Sequence, residues 1–538
     1  MRISLEAKYL IGGSALLAAV PMLEVARENV SFLIWYDFWI TLLVLVGIET
    51  LLISILTLLF PNRLSIAAAV TLAIWLSAYH EDLVGPFQGS AANGLGSSGL
   101  LVFPLGLLVA VTLMPRDLVA RAIGAFGLAL FALAVVQLFL AKDFTRFLQP
   151  AIDPTTMIDR NPLPKLAKAN GRLPDIIYIV PDRYGSSGVQ DRAFDHANSA
   201  FIGALRQRGF AVAEDARANY LKTHYSLASS MNMQYLEPLL QSLNGKTSRA
   251  QPLYSLIQDN LVAARLKQMG YRYIHVPTWW DGTKPSAHAD LIVNFWPESF
   301  GGEFGLAILR RSAFYLMVVS SIYPIDPCDA FKQQLAYLED VGGDDRPTFV
   351  FAHILAPHSP ILVDGEGGCI EPLDYPARPP GITWEGYQGG YGGVVDYINK
   401  RFLEIFDRQK ANNPNPLIFV LQADEGPFPK ELRERLAGRG AIGDGTGGSD
   451  FDWRKASDAQ LATKFGILNA LYLGDPDGTQ PLEDVPNTLT PVNNWRVIFS
   501  RLEGRTYPLQ PDRHFIFPTE KEPYNSIDIT ERLNDIPR

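Results

Sequence analysis

Apolar positions crowd the first quarter of the chain in five runs: about Tyr9 to Val25, Ile40 to Phe60, Leu64 to Tyr79, Leu100 to Met114 and Leu118 to Ala141. A membrane span needs around 20 largely apolar residues, so the first, third and fourth runs are short, and five helices is the favoured reading. From Leu173 the pattern changes. Short continuous apolar stretches at Asp175 to Val180, Tyr271 to Val276, Thr348 to Leu355, Leu417 to Gln422 and Phe465 to Leu473 predict buried strands, with a shorter one at Phe210 to Ala213. Helical stretches alternate with them near Phe194 to Arg208, Ser226 to Leu243, Tyr254 to Met269, Phe304 to Ser320, Cys328 to Asp340, Val394 to Lys410 and Asn493 to Leu502. Continuous apolar strands alternating with helices predict a mostly parallel sheet covered on both faces. The chain thus divides into a transmembrane part (1–141), a juxtamembrane connector (142–172) and a globular part (173–538). The Gly-rich stretch Gly438 to Gly448 has the composition of a surface loop.

Charge sharpens this division. Residues 1–141 hold six Lys/Arg and eight Asp/Glu, against 47 and 56 in the whole chain of 538 residues. With the N-terminus cytoplasmic, the inner segments carry Arg2, Lys8, Arg63, Arg116 and Arg121, and the outer loops only Arg27 beside Glu81 and Asp82. An odd number of spans then places residues after Lys142 outside the cytoplasm, away from nucleotide donors. Glu49, in the middle of the second run, is a candidate for function at that depth, and a protonated carboxyl bonded to a neighbouring helix is the favoured alternative. A net charge of -9 leaves no basic stripe for nucleic acid. Two cysteines, Cys328 and Cys369, exclude a thiolate zinc module or an iron–sulfur centre.

Candidate chemistry gathers at the predicted carboxyl ends of the strands, where open parallel sheets bind ligands. One strand runs into Asp182, another into Asp424 and Glu425. Three carboxylates at one sheet edge repel unless something positive lies between them, and a divalent metal is the economical answer; the alternative is that each acid caps the helix or loop after it. Thr223 and Ser226 open a helix in NYLKTHYSLASS, where a hydroxyl either caps the helix or acts as a nucleophile activated by that metal. His358 lies just past the end of the Thr348 to Leu355 strand and suits a group that holds a substrate oxygen, or a second metal ligand. His353, inside that strand, reads as a core residue. His275, ahead of Trp279 and Trp280, is a weaker candidate for lining a substrate pocket, with His275 and Trp280 as its walls.

The segments IIYIVPD, KTHYSLASSMN, FAHILAPHSP, IFVLQADEGP and KFGILNALYL resemble, in order and spacing, the alkaline phosphatase and sulfatase superfamily. The likeness is to its membrane-anchored extracytoplasmic branch, which includes lipoteichoic acid synthases and phosphoethanolamine transferases, and it runs from about Leu173 to the vicinity of Asp512. It implies an α/β alkaline-phosphatase-like sandwich with a mostly parallel central sheet, preceded by five transmembrane helices. It also implies Asp182 as first metal ligand, Thr223 as nucleophile and ligand, Asp424 and Glu425 completing the site, and His358 binding the transferred group or its donor. The family usually has Asp-His-Gly where this chain has Asp424-Glu425-Gly426. A carboxylate in place of imidazole makes a harder ligand set, which favours Mn2+ or Mg2+ over Zn2+.

The sulfatase pattern Cys/Ser-x-Pro-x-Arg opens at neither Cys328 nor Cys369, which disfavours sulfate ester hydrolysis. Those cysteines, placed outside the cytoplasm, are candidates for a disulfide, with two separate buried thiols as the alternative. The expected activity is a metal-dependent transfer of a phospholipid-derived phospho-headgroup, through a phospho-threonine, to an envelope glycan, lipid or polymer. Hydrolysis of a phosphate or sulfate ester, and a non-catalytic membrane scaffold that kept the fold, are the competing readings.

Overall fold

The computed structural model describes residues 4–30, 33–79, 109, 111–141, 144, 153–159, 173–296, 302–312, 326–343, 345–373, 383–413, 415–431, 451–474, 485–519 and 522–537. Most of the fourth apolar run, most of the connector and the Gly438 to Gly448 stretch lie outside them. Among the described residues three helices are long and apolar enough to cross a membrane, Leu5–Glu28, Trp35–Leu59 and Arg116–Leu140, with a shorter apolar helix at Leu64–Ser77.

Small residues let the first and last of these spans meet closely. A Cβ on Gly13 would lie 2.5 Å from the Ile123 carbonyl oxygen, and one on Gly127 would lie 2.4 Å from that of Gly13. Lipid offers no hydrophobic drive between helices, so such close backbone packing and interhelical hydrogen bonds hold them together. Glu49 supplies one of the bonds: the Ser14 hydroxyl donates to its carboxyl oxygen at 2.7 Å, and the Thr71 hydroxyl donates to Ser14 at 3.1 Å. The buried carboxyl therefore links three helices, as the alternative reading expected.

The globular part is built on a seven-stranded sheet. In chain order its strands are β1 (Asp175–Pro181), β2 (Ala211–Val212), β3 (Arg272–Val276), β4 (Leu291–Ile292), β5 (Thr348–Ile354), then, after a separate hairpin of β6 (Ile361–Val363) and β7 (Cys369–Leu373), β8 (Leu417–Gln422) and β9 (Asn469–Leu473). Their spatial order is β2-β9-β8-β1-β5-β3-β4, with β8, β1, β5, β3 and β4 mutually parallel and β9 antiparallel to both its neighbours. This is the mostly parallel, helix-covered sheet expected from the strand pattern.

β1 lies at the centre with every residue buried, which is why its sequence shows no polar alternation. Each of Ile176, Ile177, Ile179 and Val180 is at most 1% exposed, and burying a side chain of that size contributes about 1.5–3 kcal/mol. Asp175 fixes where the strand starts. Its carboxylate accepts from the Thr348 amide at 2.7 Å, the Gly343 amide at 2.9 Å and the Asn413 side chain at 2.8 Å, tying β1 to the segment that feeds β5 and to the end of the long helix Trp384–Asn412.

Several helices are shorter than their apolar pattern suggested. The expected Ser226 to Leu243 helix is two pieces, Thr223–Ser230 and Glu237–Leu243, the second begun by Pro238 at its N-terminal turn. The Tyr254 to Met269 stretch breaks into Gln251–Gln258 and Leu261–Gln268, because the Asn260 side chain accepts from the Ala263 amide and caps a new start. Cys328 and Cys369 form a disulfide, so helix Pro327–Tyr337 is fastened to β7.

The helix Gly302–Arg311 rests on the membrane helices. Phe304 and Ile308 are buried in one cluster with Val25, Phe38 and Leu138, and the Phe304 and Phe38 rings lie 5.5 Å apart. Gly302 has φ +58°, and a Cβ there would lie 2.2 Å from an Asp37 carboxylate oxygen, so both the turn and the approach require glycine.

Candidate active site

Three adjacent strands deliver the site. β8, β1 and β5 lie side by side, and Asp424, Asp182 and His353 sit at or just past their carboxyl ends. In the register, Val180 pairs with His353 and Ile179 with Leu421, so two residues after Val180 the alternation sets Asp182 on the face of His353 and level with Asp424. One ligand atom from each of the three lies within 4.8 Å of the others, and all three residues are buried.

His353 is the member that the sequence reading missed. It is fully buried, as expected of a core residue, yet its Nε2 lies 3.5 Å from Asp182 Oδ2 and has no hydrogen-bond partner among the described residues. Its Nδ1 meets the Thr283 hydroxyl at 3.1 Å. The pairing of Val180 with His353 was the available signal, since it puts the imidazole on the side of Asp182.

Glu425, expected to complete the metal site, lies outside the three-residue group. Its Oε1 is 2.9 Å from Arg183 Nε and 2.9 Å from Lys464 Nζ. The three acids are thus separated into a pair facing His353 and a third neutralised by two bases.

Thr223 opens the helix Thr223–Ser230, and its hydroxyl lies near enough to the Asp424 carboxylate to favour that group's charged form. Ser226, the other hydroxyl considered, donates to the Asp424 main-chain oxygen at 2.6 Å and holds that loop in place. The Arg183 amide donates to Asp424 Oδ1 at 3.1 Å, whereas Oδ2 has no partner among the described residues. Burial, then the charges of Asp182 and Glu425, push the Asp424 carboxyl up to about 8. Burial alone draws His353 down to about 4 against the pull of Asp424. A carboxyl and an imidazole with bare, buried donor atoms beside a second carboxyl fit a divalent cation, which would reverse both effects.

His358 lies beside this group: its amide donates to the Asp182 carbonyl at 3.1 Å and its Nδ1 meets the Ser359 carbonyl. Burial and then Arg183 hold the ring well below the usual imidazole range. Trp280 packs edge-on to His353, with ring centroids 5.7 Å apart, so this expected pocket residue does border the site. His275 does not. It is buried, with Nδ1 3.0 Å from the Tyr273 hydroxyl and Nε2 against the Thr283 carbonyl, so both nitrogens are used inside the protein.

No protein-family model matches the chain, and no curated protein is similar enough to count as a relative. Solved structures do resemble it. The C-terminal periplasmic domain of EptC from Escherichia coli, in complex with Zn, covers 70% of this chain and 98% of its own, at 13% identity and a TM-score of 0.44. The integral membrane lipooligosaccharide phosphoethanolamine transferase A of Neisseria meningitidis covers 93% and 95%, at 11% identity and a TM-score of 0.37. An alkaline phosphatase superfamily protein from Vibrio parahaemolyticus covers 65% and 74%, at 13% identity and 0.36. At this distance the activities of those proteins do not transfer.

Proposed function

We propose that the chain is a membrane-bound, metal-dependent phosphotransferase that moves a phospho-headgroup from a phospholipid to a glycan, lipid or polymer hydroxyl by way of Thr223. The observation that carries this reading is the buried Asp182–His353–Asp424 group at the ends of three neighbouring strands, with the first residue of helix Thr223–Ser230 beside Asp424. The transmembrane part is residues 1–141 and the catalytic part 173–538, with the N-terminus cytoplasmic and the catalytic part outside.

Asp182, Asp424, His353 and the Thr223 oxygen would hold one divalent cation. Bound there, it supplies positive charge that lowers the pKa of the hydroxyl and offsets charge on the transferred group. The expected preference for Mn2+ or Mg2+ rested on Glu425 as a ligand. With His353 supplying a nitrogen in its place, Zn2+ fits the donor set equally well.

Thr223 attacks phosphorus: its Oγ–P bond forms as the ester bond to the leaving lipid alcohol breaks, and the proton lost from the threonine hydroxyl is the one the alcohol oxygen takes up. In the second half the acceptor oxygen bonds to phosphorus as the Oγ–P bond breaks, and Oγ regains the proton that the acceptor gives up. The Asp424 carboxylate beside the threonine hydroxyl favours the rotor that turns the O–H toward it and leaves an oxygen lone pair for the attack. His358 serves the second half. Its Nδ1 faces a carbonyl and so carries the ring proton, which leaves Nε2 with a lone pair to take the proton of the acceptor hydroxyl.

Intact-mass analysis of the full chain in detergent, after incubation with a divalent metal and mixed phospholipids, tests this. A headgroup-phosphate adduct on Thr223, absent from Thr223→Ala, is the expected result. An unmodified protein that still consumes phospholipid overturns it.

A further inference from the structure

The buried triad of Arg183, Glu425 and Lys464 is unused by the chemistry above, and its placement is costly. Arg183 is 4% exposed and Lys464 2% exposed. Isolated charges at such positions cost several kcal/mol each unless they are paired and hydrogen bonded. Glu425 satisfies them only in part. It engages Arg183 through Nε, while Arg183 Nη1 is buried without a hydrogen-bond partner among the described residues, as is Glu425 Oε2. Lys464 spends its protons on Glu425 and on the Gly426 carbonyl at 3.1 Å.

Arg183 is also held in a strained backbone. Its φ of +62° lies in the left-handed region, which residues with a side chain rarely adopt. That conformation does two things at once: it turns the amide onto Asp424 Oδ1 and the guanidinium toward Glu425. The guanidinium carbon sits 4.3 Å above the Phe428 ring centre and Lys464 Nζ 4.6 Å from it, so one aromatic face positions both cations. Arg183 directly follows Asp182 and its amide bonds Asp424, so its side chain leaves the backbone between two of the candidate ligands.

We propose that Arg183 is the substrate contact for the anionic group that Thr223 attacks, donating from Nη1 to a non-bridging oxygen, with Glu425 and Lys464 as positioning residues. The inference rests on the phosphotransferase reading and names its substrate class. With carboxylates ionised, as a bound cation requires, Asp182, Asp424 and Glu425 against Arg183 and Lys464 leave one negative charge. A divalent cation turns this into one positive charge, which a singly charged phosphodiester neutralises and a phosphomonoester dianion over-neutralises.

The test uses the full chain in detergent, loaded with Mn2+, and measures binding of dimethyl phosphate, inorganic phosphate and phosphatidylethanolamine in mixed micelles. The parent should bind dimethyl phosphate more tightly than inorganic phosphate. Arg183→Gln should weaken dimethyl phosphate and lipid binding by about 10–100-fold, the equivalent of one charge-assisted hydrogen bond, while Mn2+ affinity changes by less than about threefold. Arg183→Lys, which keeps the charge and loses the planar fork, should fall between them and covers the case in which the Gln variant does not fold.

Unchanged diester binding in either folded variant, loss of Mn2+ together with the diester, or a parent that prefers inorganic phosphate overturns the proposal. A diester effect with no lipid effect assigns the contact to free phosphodiesters and overturns the lipid source. Thr223→Ala separates the two readings: if it leaves the diester affinity intact while no adduct ever forms on the parent, the nucleophile is wrong and the Arg183 contact stands.

Discussion

Asp182 Oδ2 and His353 Nε2 lie 3.5 Å apart across two neighbouring strands, and the opposite nitrogen of the same imidazole is held by Thr283. A histidine that binds a cation through one nitrogen needs its other N–H oriented, which is the position Thr283 occupies. His353→Ala should lower divalent-cation affinity by about 10–100-fold, and Thr283→Val should do so to a similar or smaller degree. Glu425→Gln should leave it near the parent value. Metal content after dialysis against graded chelator, with thermal melting as a fold check, is the measurement. Equal losses from Glu425→Gln and His353→Ala would return Glu425 to the ligand set.

Thr223 presents a hydroxyl that serine can supply and alanine cannot. Thr223→Ala should abolish the phospho-adduct and transfer while leaving the melting temperature within a few degrees of the parent, and Thr223→Ser should retain measurable turnover. A Thr223→Ala protein with parent-like transfer rates would remove the covalent intermediate from the mechanism.

Acid should unfold the protein partly through His275. Burial, opposed by the Thr283 carbonyl and reinforced by His353, draws this ring down to about 4 in the folded state. Between that value and the ordinary imidazole value near 6.5 the unfolded chain binds a proton that the folded chain refuses, so stability rises with pH across that window and is lost as pH falls through it. The loss amounts to at most about 3 kcal/mol. Denaturant titrations of His275→Gln from pH 4 to 7 should show a shallower slope than the parent. An identical slope assigns the acid sensitivity to other groups.

The Cys328–Cys369 bond joins residues 41 apart in sequence. Closing a loop of that length restricts the unfolded chain by roughly 4 kcal/mol in the chain-entropy treatment. The double variant Cys328→Ser/Cys369→Ser should therefore unfold at lower denaturant with little change in metal binding, because helix Pro327–Tyr337 and β7 contribute none of the candidate ligands. The parent's denaturant midpoint should be higher under oxidising than under reducing conditions, and the variant's should be the same under both.

The sheet was legible because its strands are buried on both faces and therefore print as unbroken apolar runs, as at Ile176 to Val180 and Leu417 to Leu421. Strand ends in acids were equally legible, and so Asp182 and Asp424 could be named beforehand. Partner choice was harder. Whether Glu425 faces a cation or a pair of bases depends on Arg183 and Lys464, of which Lys464 arrives from 39 residues further along the chain. His353 was hidden for the opposite reason: a polar residue deep in an apolar strand looks like an isolated core histidine until the neighbouring strand supplies its register. Short strands such as Leu291–Ile292 carry too few residues for any period to show.

The helix Gly302–Arg311 ties the candidate site to the apolar N-terminal helices through a short chain of contacts. Its Glu303 carboxylate accepts from the Asp281 amide at 2.8 Å, and Asp281 follows Trp280, whose ring packs on His353. Phe304 and Ile308 meanwhile are buried against the spans. A fragment cut free of residues 1–141 would bare these apolar side chains and lose the footing of the tryptophan loop, so a soluble version of this protein would be stickier and its pocket wall looser than in the intact molecule.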